Sequence, residues 1–264
     1  MLEAIILGTI QGIAEWLPVS SEGLIFIVKT NFFNSGESLR EIAEFALWLH
    51  LGTFLAVLIY FRAEVINLFR ALFNFSKAED EKKKTLLFLI ITTIISGVFG
   101  IILLVLIDKL GLALGYSTKI ITLIIGLLLL LTGIMQLKAK AEGKRKEADL
   151  KTSDSIILGI MQGLAALPGL SRSGLTISAL LLKNFNKTTA LTLSFLMSLP
   201  IVLAGNIILN LDKFSLNSNL LLGLLFSFIF GYLTIGIMLK ISRKINFGWF
   251  VLGFGILTII AVII

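Results

Sequence analysis

Six uninterrupted apolar runs constrain this chain more than any other feature of its sequence. They cover residues 43–61, 85–107, 118–137, 188–210, 219–239 and 247–264. A helix needs about 20 apolar residues to cross the hydrocarbon core of a bilayer, and each run is about that long. Because 57% of the 264 residues are hydrophobic, we predict an all-α integral membrane protein rather than a soluble domain.

Two further apolar stretches are each interrupted near the middle. Residues 4–28 contain EWLPVSSEG, and residues 155–182 contain ALPGLSRSG. The apolar part on either side of each break is too short to span a bilayer. Irregular backbone at membrane depth is tolerated only inside protein or beside a water-filled cavity. The predicted fold therefore has six transmembrane helices plus two re-entrant helical hairpins.

The two interrupted stretches are copies of each other. One reads LGTIQGIAEWLPVSSEGL and the other LGIMQGLAALPGLSRSGL; the matching pairs are Leu7/Leu158, Gly8/Gly159, Gln11/Gln162, Gly12/Gly163, Ala14/Ala165, Pro18/Pro168 after a one-residue shift, Ser20/Ser171 and Gly23/Gly174. We predict one membrane domain, 1–264, with repeat halves at about 1–140 and 152–264 and a basic cytoplasmic linker at 138–151. Three spans follow each hairpin, so the second half starts on the opposite side. Such an inverted-topology repeat places a binding site where its halves meet.

The distribution of positive charge predicts the orientation. Most of the 23 lysine and arginine residues lie in the loops 62–84, 138–151, 183–187 and 240–246, which share one side in this arrangement. Basic residues collect in cytoplasmic loops, so both termini and residues 29–42 face outside. Membrane lipids, rather than nucleic acid, are the partner expected from the net charge of +7, because no basic stripe with interleaved aromatic residues is present.

The second interrupted stretch has the composition of an anion site. Its SRSG segment opens a helix whose first N–H groups are free to bind an anion. Arg172 can hold two phosphate oxygens, and hydroxyls follow at Ser171, Ser173 and Thr176, with Gly174 allowing close backbone approach. In the alternative interpretation Arg172 extends to the interface and the serines only cap a helix. A lone arginine in such a segment is costly without a partner, which favours the anion site.

The first interrupted stretch supplies a carboxylate and two hydroxyls. Gln11 and Glu15 are four residues apart and share a helix face. Glu15 in an apolar run is costly unless it binds a cation or meets Arg172. A carboxylate and an amide oxygen suit Mg²⁺ or Ca²⁺. Ser20 and Ser21 can each act as a nucleophile, as a hydrogen-bond donor to a phosphate, or as a helix cap. The combination predicts phosphoryl chemistry, with Glu15 as either base or metal ligand.

These motifs resemble the two signatures of the undecaprenyl-diphosphate phosphatase family of the BacA/UppP type. QGIAEWLPVSSEG matches the Glu/Gln-x-x-x-Glu pattern, and LPGLSRSGLT matches Pro-Gly-x-Ser-Arg-Ser-Gly-x-Thr. The resemblance covers nearly the whole chain, including LHLGTFLAVLIYF after residue 48. It implies hydrolysis of a C55 polyprenyl diphosphate to the monophosphate and inorganic phosphate. That reaction recycles the lipid carrier for cell-wall glycans and confers bacitracin resistance. The resemblance further implies a bacterial cell membrane, an active site facing outside and a divalent metal.

The resemblance also implies roles for individual residues. Glu15 and Gln11 become metal-binding or catalytic positions, and Ser20 and Ser21 become the hydroxyl pair, one of them the nucleophile. Arg172 becomes the diphosphate clamp, surrounded by Ser171, Ser173, Gly174 and Thr176.

The chain departs from the family after the serine pair. Members often carry Ser-Ser-Thr-Gly-His, whereas this chain reads SSEGL, with Glu22 in place of threonine and Leu24 in place of histidine. Either that histidine is dispensable, or Glu15, Glu22 or His50 takes over its role. Gln162, the repeat counterpart of Gln11, is a further candidate.

A polyprenyl-phosphate flippase is the main alternative, because inverted repeats with broken helices are also typical of transporters. The fold does not separate the two functions. Glu15 with two serines favours catalysis, and a purely structural membrane protein would not repeat costly polar groups in both halves. A polyprenyl diphosphate lipid is thus the expected partner; the sequence carries no signal for an oligomeric state.

Overall fold

The computed structural model of the protein is helical throughout the part of the chain that it describes. That part comprises residues 1–17, 19–33, 37, 39–114, 118–138, 143–167, 169–210, 217–241 and 248–263. The α-helices are α1 (Leu2–Ala14), α2 (Ser21–Phe32), α3 (Leu39–Tyr60), α4 (Arg62–Phe73), α5 (Asp80–Leu114), α6 (Thr118–Lys138), α7 (Thr152–Leu164), α8 (Arg172–Leu182), α9 (Lys187–Asn210), α10 (Ser218–Ile241) and α11 (Gly248–Ile263). Two 3₁₀ turns lie at Phe75–Lys77 and Glu147–Asp149.

Four helices of the described part are long and apolar enough to cross a membrane. Their apolar segments are Glu41–Tyr60, Asp80–Leu106, Lys187–Asn210 and Ser218–Ile241, in α3, α5, α9 and α10. Two further predicted spans correspond to shorter apolar segments, Thr122–Lys138 in α6 and Gly248–Ile260 in α11. The helices indicate a membrane protein, while the number of six spans stays a prediction.

The outer surface of α5 has the apolar character that lipid requires. Ile94, Val98, Ile101 and Val105 are all exposed, and their spacing places them along one helix face. A continuous apolar face of this kind is unfavourable in water and favourable against acyl chains.

Both interrupted stretches form a helix, a turn and a second helix. The first pair is α1–α2 and the second pair α7–α8; the members of each pair pack against each other, and we call them the first and second hairpin. Ser20 and Ser171, equivalent in the repeat, cap α2 and α8: their Oγ atoms accept hydrogen bonds from Gly23 N (3.1 Å) and Gly174 N (3.0 Å). Such caps satisfy amides that the helix leaves free. Pro18 and Pro168, which the sequence assigns to these turns, lie outside the described residues.

The first helix of each hairpin packs against a long helix of the other half of the chain. α1 lies on α10, and α7 lies on α5. Small residues make this possible, because a Cβ on Gly12 would lie 2.7 Å from Ser227 O and one on Gly159 would lie 2.7 Å from the Ile95 Cβ. In addition, α3 packs on α9 and α6 on α11. These contacts bring the two hairpin turns together.

Two segments interpreted as loops are more ordered than expected. Within 62–84 the structure has α4, which packs against α5 because Val65, Leu68 and Ala71 form a buried stripe at helical spacing. Within 138–151, the Arg145 N–H donates to Asn184 O at 2.9 Å, while residues 139–142 lie outside the described part. The loop interpretation is therefore wrong for residues 62–73, which form α4, and for residues 80–84, which form the start of α5.

An ionic cluster joins the open end of the second hairpin, where α7 begins and α8 ends, opposite the turn. Asp154, at the start of α7, is 1% exposed and contacts Arg145 Nη2 at 2.5 Å and Lys183 Nζ at 3.1 Å. Burial alone would raise the pKa of Asp154, but hydrogen bonds from Arg145 and Lys183 outweigh it and hold the pKa below its usual range. At the first hairpin, Lys29 of α2 pairs with Glu3 of α1 at 3.6 Å.

Candidate active site

The turns of the two hairpins are hydrogen-bonded to each other. Gly169 N donates to Ser20 Oγ at 3.1 Å, and Ser173 Oγ donates to Leu17 O at 3.0 Å. Gly169 has a φ of +104°, and a Cβ there would lie 2.8 Å from Ile125 Cα. Only glycine fits this position. The two turns are therefore held as one unit, although they are about 150 residues apart in sequence.

A small pocket lies between the two turns. It collects most of the polar residues singled out in the sequence, from both halves of the chain: Glu15, Ser20, Ser21, Glu22, His50, Ser171, Arg172 and Ser173. Val19, Ala165 and Leu170 form its apolar wall. A small concave site with converging polar groups is the usual form of a binding or catalytic site.

Glu15 is the centre of the polar network. Its Oε2 accepts hydrogen bonds from Gln11 Nε2 (2.9 Å) and Ser21 Oγ (3.0 Å) and lies 3.1 Å from His50 Nε2. Its Oε1 pairs with Arg172 Nη2. The residue is only 6% exposed, and a buried carboxylate is stable only when it is paired and hydrogen-bonded in this way.

Arg172 connects the two halves of the site. It is the first residue of α8, and besides Glu15 it binds a backbone oxygen of α9, with Nη1 2.9 Å from Ser194 O. The Ser194 hydroxyl is 2.7 Å from Thr176 Oγ1. Thr176 thus does not line the pocket. It binds the hydroxyl of Ser194, whose backbone oxygen accepts the hydrogen bond from Arg172. Sequence reasoning missed Ser194, because a serine in an apolar run gives no sign that its carbonyl binds an arginine.

The two adjacent serines of the first hairpin have different surroundings. The Ser20 oxygen accepts hydrogen bonds from two backbone amides, Gly23 N and Gly169 N. The Ser21 hydroxyl donates to Glu15 at 3.0 Å and lines the pocket. Ser20 therefore has a structural environment, while Ser21 is paired with a carboxylate that can accept its proton.

Of the remaining residues predicted for the site, some lie at the pocket and others lie away from it. Ser171 Oγ lies 3.2 Å from Ser173 Oγ, at the pocket. Gly174 faces α6 rather than the pocket, since a Cβ there would lie 2.9 Å from Gln136 Nε2. Gln162 lies away from the pocket and donates to Ser96 Oγ at 3.0 Å. Leu24 packs against an apolar cluster.

The described residues do not provide a complete metal cage. No group of three or more acidic or histidine side chains is placed to hold a metal ion among them, and both oxygens of Glu15 have partners. Gln11 Oε1 is buried without a hydrogen bond in the described part, but Gln11 is not among the pocket residues. Glu22 also lines the pocket, so a second carboxylate is present beside that of Glu15. Mg²⁺ is often bound by one or two carboxylates together with substrate phosphates, and this donor set fits that mode.

Comparison with known proteins gives one family model and relatives that share a single name. A family model described as bacitracin resistance protein BacA matches residues 4–260. The chain is 41% identical over 263 residues to an undecaprenyl-diphosphatase of Methanococcoides burtonii, covering 98% of this chain and 97% of the relative. It is 33% identical to an undecaprenyl-diphosphatase of Methanothrix thermoacetophila, covering 98% and 95%. It is 35% identical to one of Haloarcula marismortui, covering 94% and 92%.

Proposed function

The chain belongs to the family of the bacitracin resistance protein BacA, and on that basis we propose that it hydrolyses undecaprenyl diphosphate to undecaprenyl phosphate and inorganic phosphate. The observation that carries this proposal is the Ser21 hydroxyl, which donates to the buried carboxylate of Glu15 beside Arg172. A hydroxyl on a base, next to a guanidinium, is an arrangement suited to phosphoryl transfer. The product is the lipid carrier that cell-wall synthesis reuses, and hydrolysis of its diphosphate confers bacitracin resistance.

The reaction proceeds in two steps at Ser21. Arg172 binds the diphosphate, and Ser21 Oγ attacks the terminal phosphorus while its proton passes to Glu15. The bond from that phosphorus to the bridging oxygen breaks, and Glu15 gives the proton to the departing undecaprenyl phosphate. Water then attacks the phosphoserine; Glu15 takes a proton from the water and returns it to Oγ as inorganic phosphate leaves.

A divalent cation, Mg²⁺ or Ca²⁺, belongs to this proposal. When bound, it neutralises charge on the transferring phosphoryl group. Glu22 would hold it, because its carboxylate lines the pocket, and substrate oxygens would complete the coordination. Glu15 and Gln11, the ligands expected from the sequence, stay a prediction; the four partners of the Glu15 carboxylate occupy both of its oxygens, which argues against a role as metal ligand.

The membrane arrangement is part of the same proposal. Six helices span the cell membrane, the hairpins enter from opposite sides, and the pocket opens to the outside. The turns within both hairpins and the packing of α1 on α10 and of α7 on α5 support this arrangement. The diphosphate lies at the hairpin turns, while the polyprenyl tail stays in lipid along an apolar surface.

Phosphate release tests the function directly. Purified protein in detergent, with Mg²⁺ and undecaprenyl diphosphate, is expected to release inorganic phosphate. Arg172→Ala is expected to lower turnover at least about 100-fold, because it removes the guanidinium that stabilises the phosphoryl group. Arg70→Ala on the exposed face of α4 is the matched control. Detergent solution has no two sides, so a flippase would release no phosphate, and that result would contradict hydrolysis.

A further inference from the structure

Helix α4 has two apolar sides and one polar side. The first apolar side is the buried stripe that packs against α5. The second consists of Ile66, Phe69 and Phe73, which share a helix face and are 48%, 56% and 80% exposed. The polar side contains Asn67 and Arg70, which are also exposed. The packing of α4 within the protein therefore leaves three large apolar side chains uncovered.

The position of α4 between two candidate spans places it at the membrane surface. The apolar segment of α3 ends at Tyr60, that of α5 begins at Asp80, and α4 lies in the connection between them. The buried stripe of α4 belongs to the same apolar cluster as Leu86 and Leu89 of α5. These residues form the first apolar turn after Lys84. Because the apolar part of a span begins where the hydrocarbon core begins, α4 lies at that depth.

The lipid-facing surface of α5 begins in the same turns. Leu87 and Ile90 are exposed there, and the exposed face continues along α5 to Ile94 and Val98. The second apolar side of α4 thus lies at a depth where the neighbouring helix already borders lipid. A helix with one apolar and one polar side lies flat in the membrane interface, with its apolar side inserted below the headgroups.

We propose that α4 is an interfacial helix that binds the lipid surface. Ile66, Phe69 and Phe73 insert at the boundary between headgroups and acyl chains, while Asn67 and Arg70 face water. The helix thereby anchors the connection between α3 and α5 to one leaflet. This placement depends only on the membrane character of the chain, and it goes beyond the proposed phosphatase activity.

Fluorescence quenching tests the placement, because the chain has no cysteine and a single one can be labelled. Phe69→Cys and the matched control Asn67→Cys carry an environment-sensitive fluorophore in the full-length protein, reconstituted in phosphatidylcholine vesicles. A nitroxide in the upper part of a lipid acyl chain is expected to quench the label at position 69 at least about threefold more than the label at position 67. Iodide on both sides of the vesicle membrane is expected to quench them in the opposite order.

Two results would overturn the interfacial placement. Equal quenching of both labels by iodide would show that the apolar side faces water. A label at position 69 protected from iodide and also from the lipid nitroxide would show that protein covers this side, as a second copy of the chain would. Both variants are measured only if they elute and give a circular dichroism spectrum like the wild-type protein.

The flat orientation gives a second measurement with independent variants. Ile66→Cys and Phe73→Cys lie nearly two turns apart on the same face, so nitroxide lipids are expected to quench both labels to within about twofold of each other. Strong quenching of one label together with none of the other would contradict a helix lying in the interface. Neither measurement uses the substrate, so failure of phosphate release would leave this inference intact.

Discussion

Ser20 and Ser21 are neighbours in the chain, yet their hydroxyls do different work. The Ser20 oxygen ties the two hairpin turns together by accepting from Gly169 N, and it caps α2 through Gly23 N. The Ser21 hydroxyl is bound to Glu15. An oxygen that already accepts two amide hydrogen bonds is a poor nucleophile, whereas a hydroxyl that donates to a carboxylate is activated.

Ser21→Ala is expected to lower phosphate release at least about 1,000-fold, with little change in thermal stability, because it removes the proposed nucleophile. Ser20→Ala is expected to lower the unfolding temperature, since loss of the cap costs about 1 kcal/mol, and to keep turnover within about tenfold. Phosphate release and thermal unfolding in detergent measure both variants. Turnover retained in Ser21→Ala and abolished in Ser20→Ala would reverse the assignment.

At the scale of elements, the contact between α1 and α10 positions Glu15. Gln11 and Glu15 lie on or directly after α1, and Trp16 Nε1 donates to Gly231 O of α10 at 2.9 Å. The close approach depends on small residues, as at Gly12. A wider helix separation would move the carboxylate away from Arg172.

Gly12→Ala is expected to destabilise the protein by about 1–3 kcal/mol and to lower turnover, because the new Cβ would overlap Ser227 O. Gly97→Ala on α5 is the matched control, since its nearest neighbour would be Ile201 Cδ1 at 3.9 Å. The control should be neutral or slightly stabilising, because alanine favours helix. Thermal unfolding compares the two, and equal unfolding temperatures would contradict the packing argument.

The ionic cluster at the open end of the second hairpin makes a pH-dependent contribution to stability. The pKa of Asp154 is lower in the folded protein than its ordinary value of 3.8. The contribution is therefore present above that value and is lost as the pH falls through the lower folded pKa.

Asp154→Asn is expected to lower the unfolding temperature at pH 7 by an amount corresponding to about 1–3 kcal/mol, since Arg145 and Lys183 lose their partner. The difference from wild type should shrink below about pH 4, where the carboxyl begins to take up a proton. Asp80→Asn serves as control, because the Asp80 side chain is 92% exposed and should change little. A difference that stays constant with pH would contradict the ionic origin.

At the scale of the whole molecule, the long helices followed closely from the sequence. The run 188–210 became α9 (Lys187–Asn210) and the run 219–239 became α10 (Ser218–Ile241), because a bilayer requires a nearly fixed length of apolar helix. α4 was not predicted, since the charges of Arg62, Glu64 and Arg70 obscure a short buried stripe. Its position depends on packing against α5, which a local pattern does not reveal.

The site residues that could be predicted are those whose burial costs free energy unless they have a partner. Glu15 and Arg172 are charged residues in apolar stretches, so their proximity was expected, and they are in contact. Gln11 and Gln162 are equivalent in the repeat, yet one binds Glu15 and the other Ser96. The residue four positions further on is Glu15 in the first hairpin and Ala166 in the second, so only Gln11 has a carboxylate on its own helix face. The contact of Gln162 with Ser96 depends on the packing of α7 against α5, which the repeat does not reveal.

The predicted orientation can be tested by labelling, because the chain has no cysteine. Asn31→Cys and Asn217→Cys, both at exposed positions, are expected to react with a membrane-impermeant maleimide on intact cells. Lys77→Cys, exposed on the predicted cytoplasmic side, should react only after the membrane is permeabilised. Labelling of Asn31→Cys and Lys77→Cys from the same side would contradict the predicted topology.

The ion pair between Arg172 and Glu15 also bears on the end of the catalytic cycle. A guanidinium with no partner would bind inorganic phosphate strongly and retain it. In the proposed site, phosphate would compete with a buried carboxylate for the donors of Arg172, and that competition would weaken binding of the released phosphate. We therefore expect inorganic phosphate to be a weak product inhibitor, which phosphate-release assays at increasing phosphate concentration would measure.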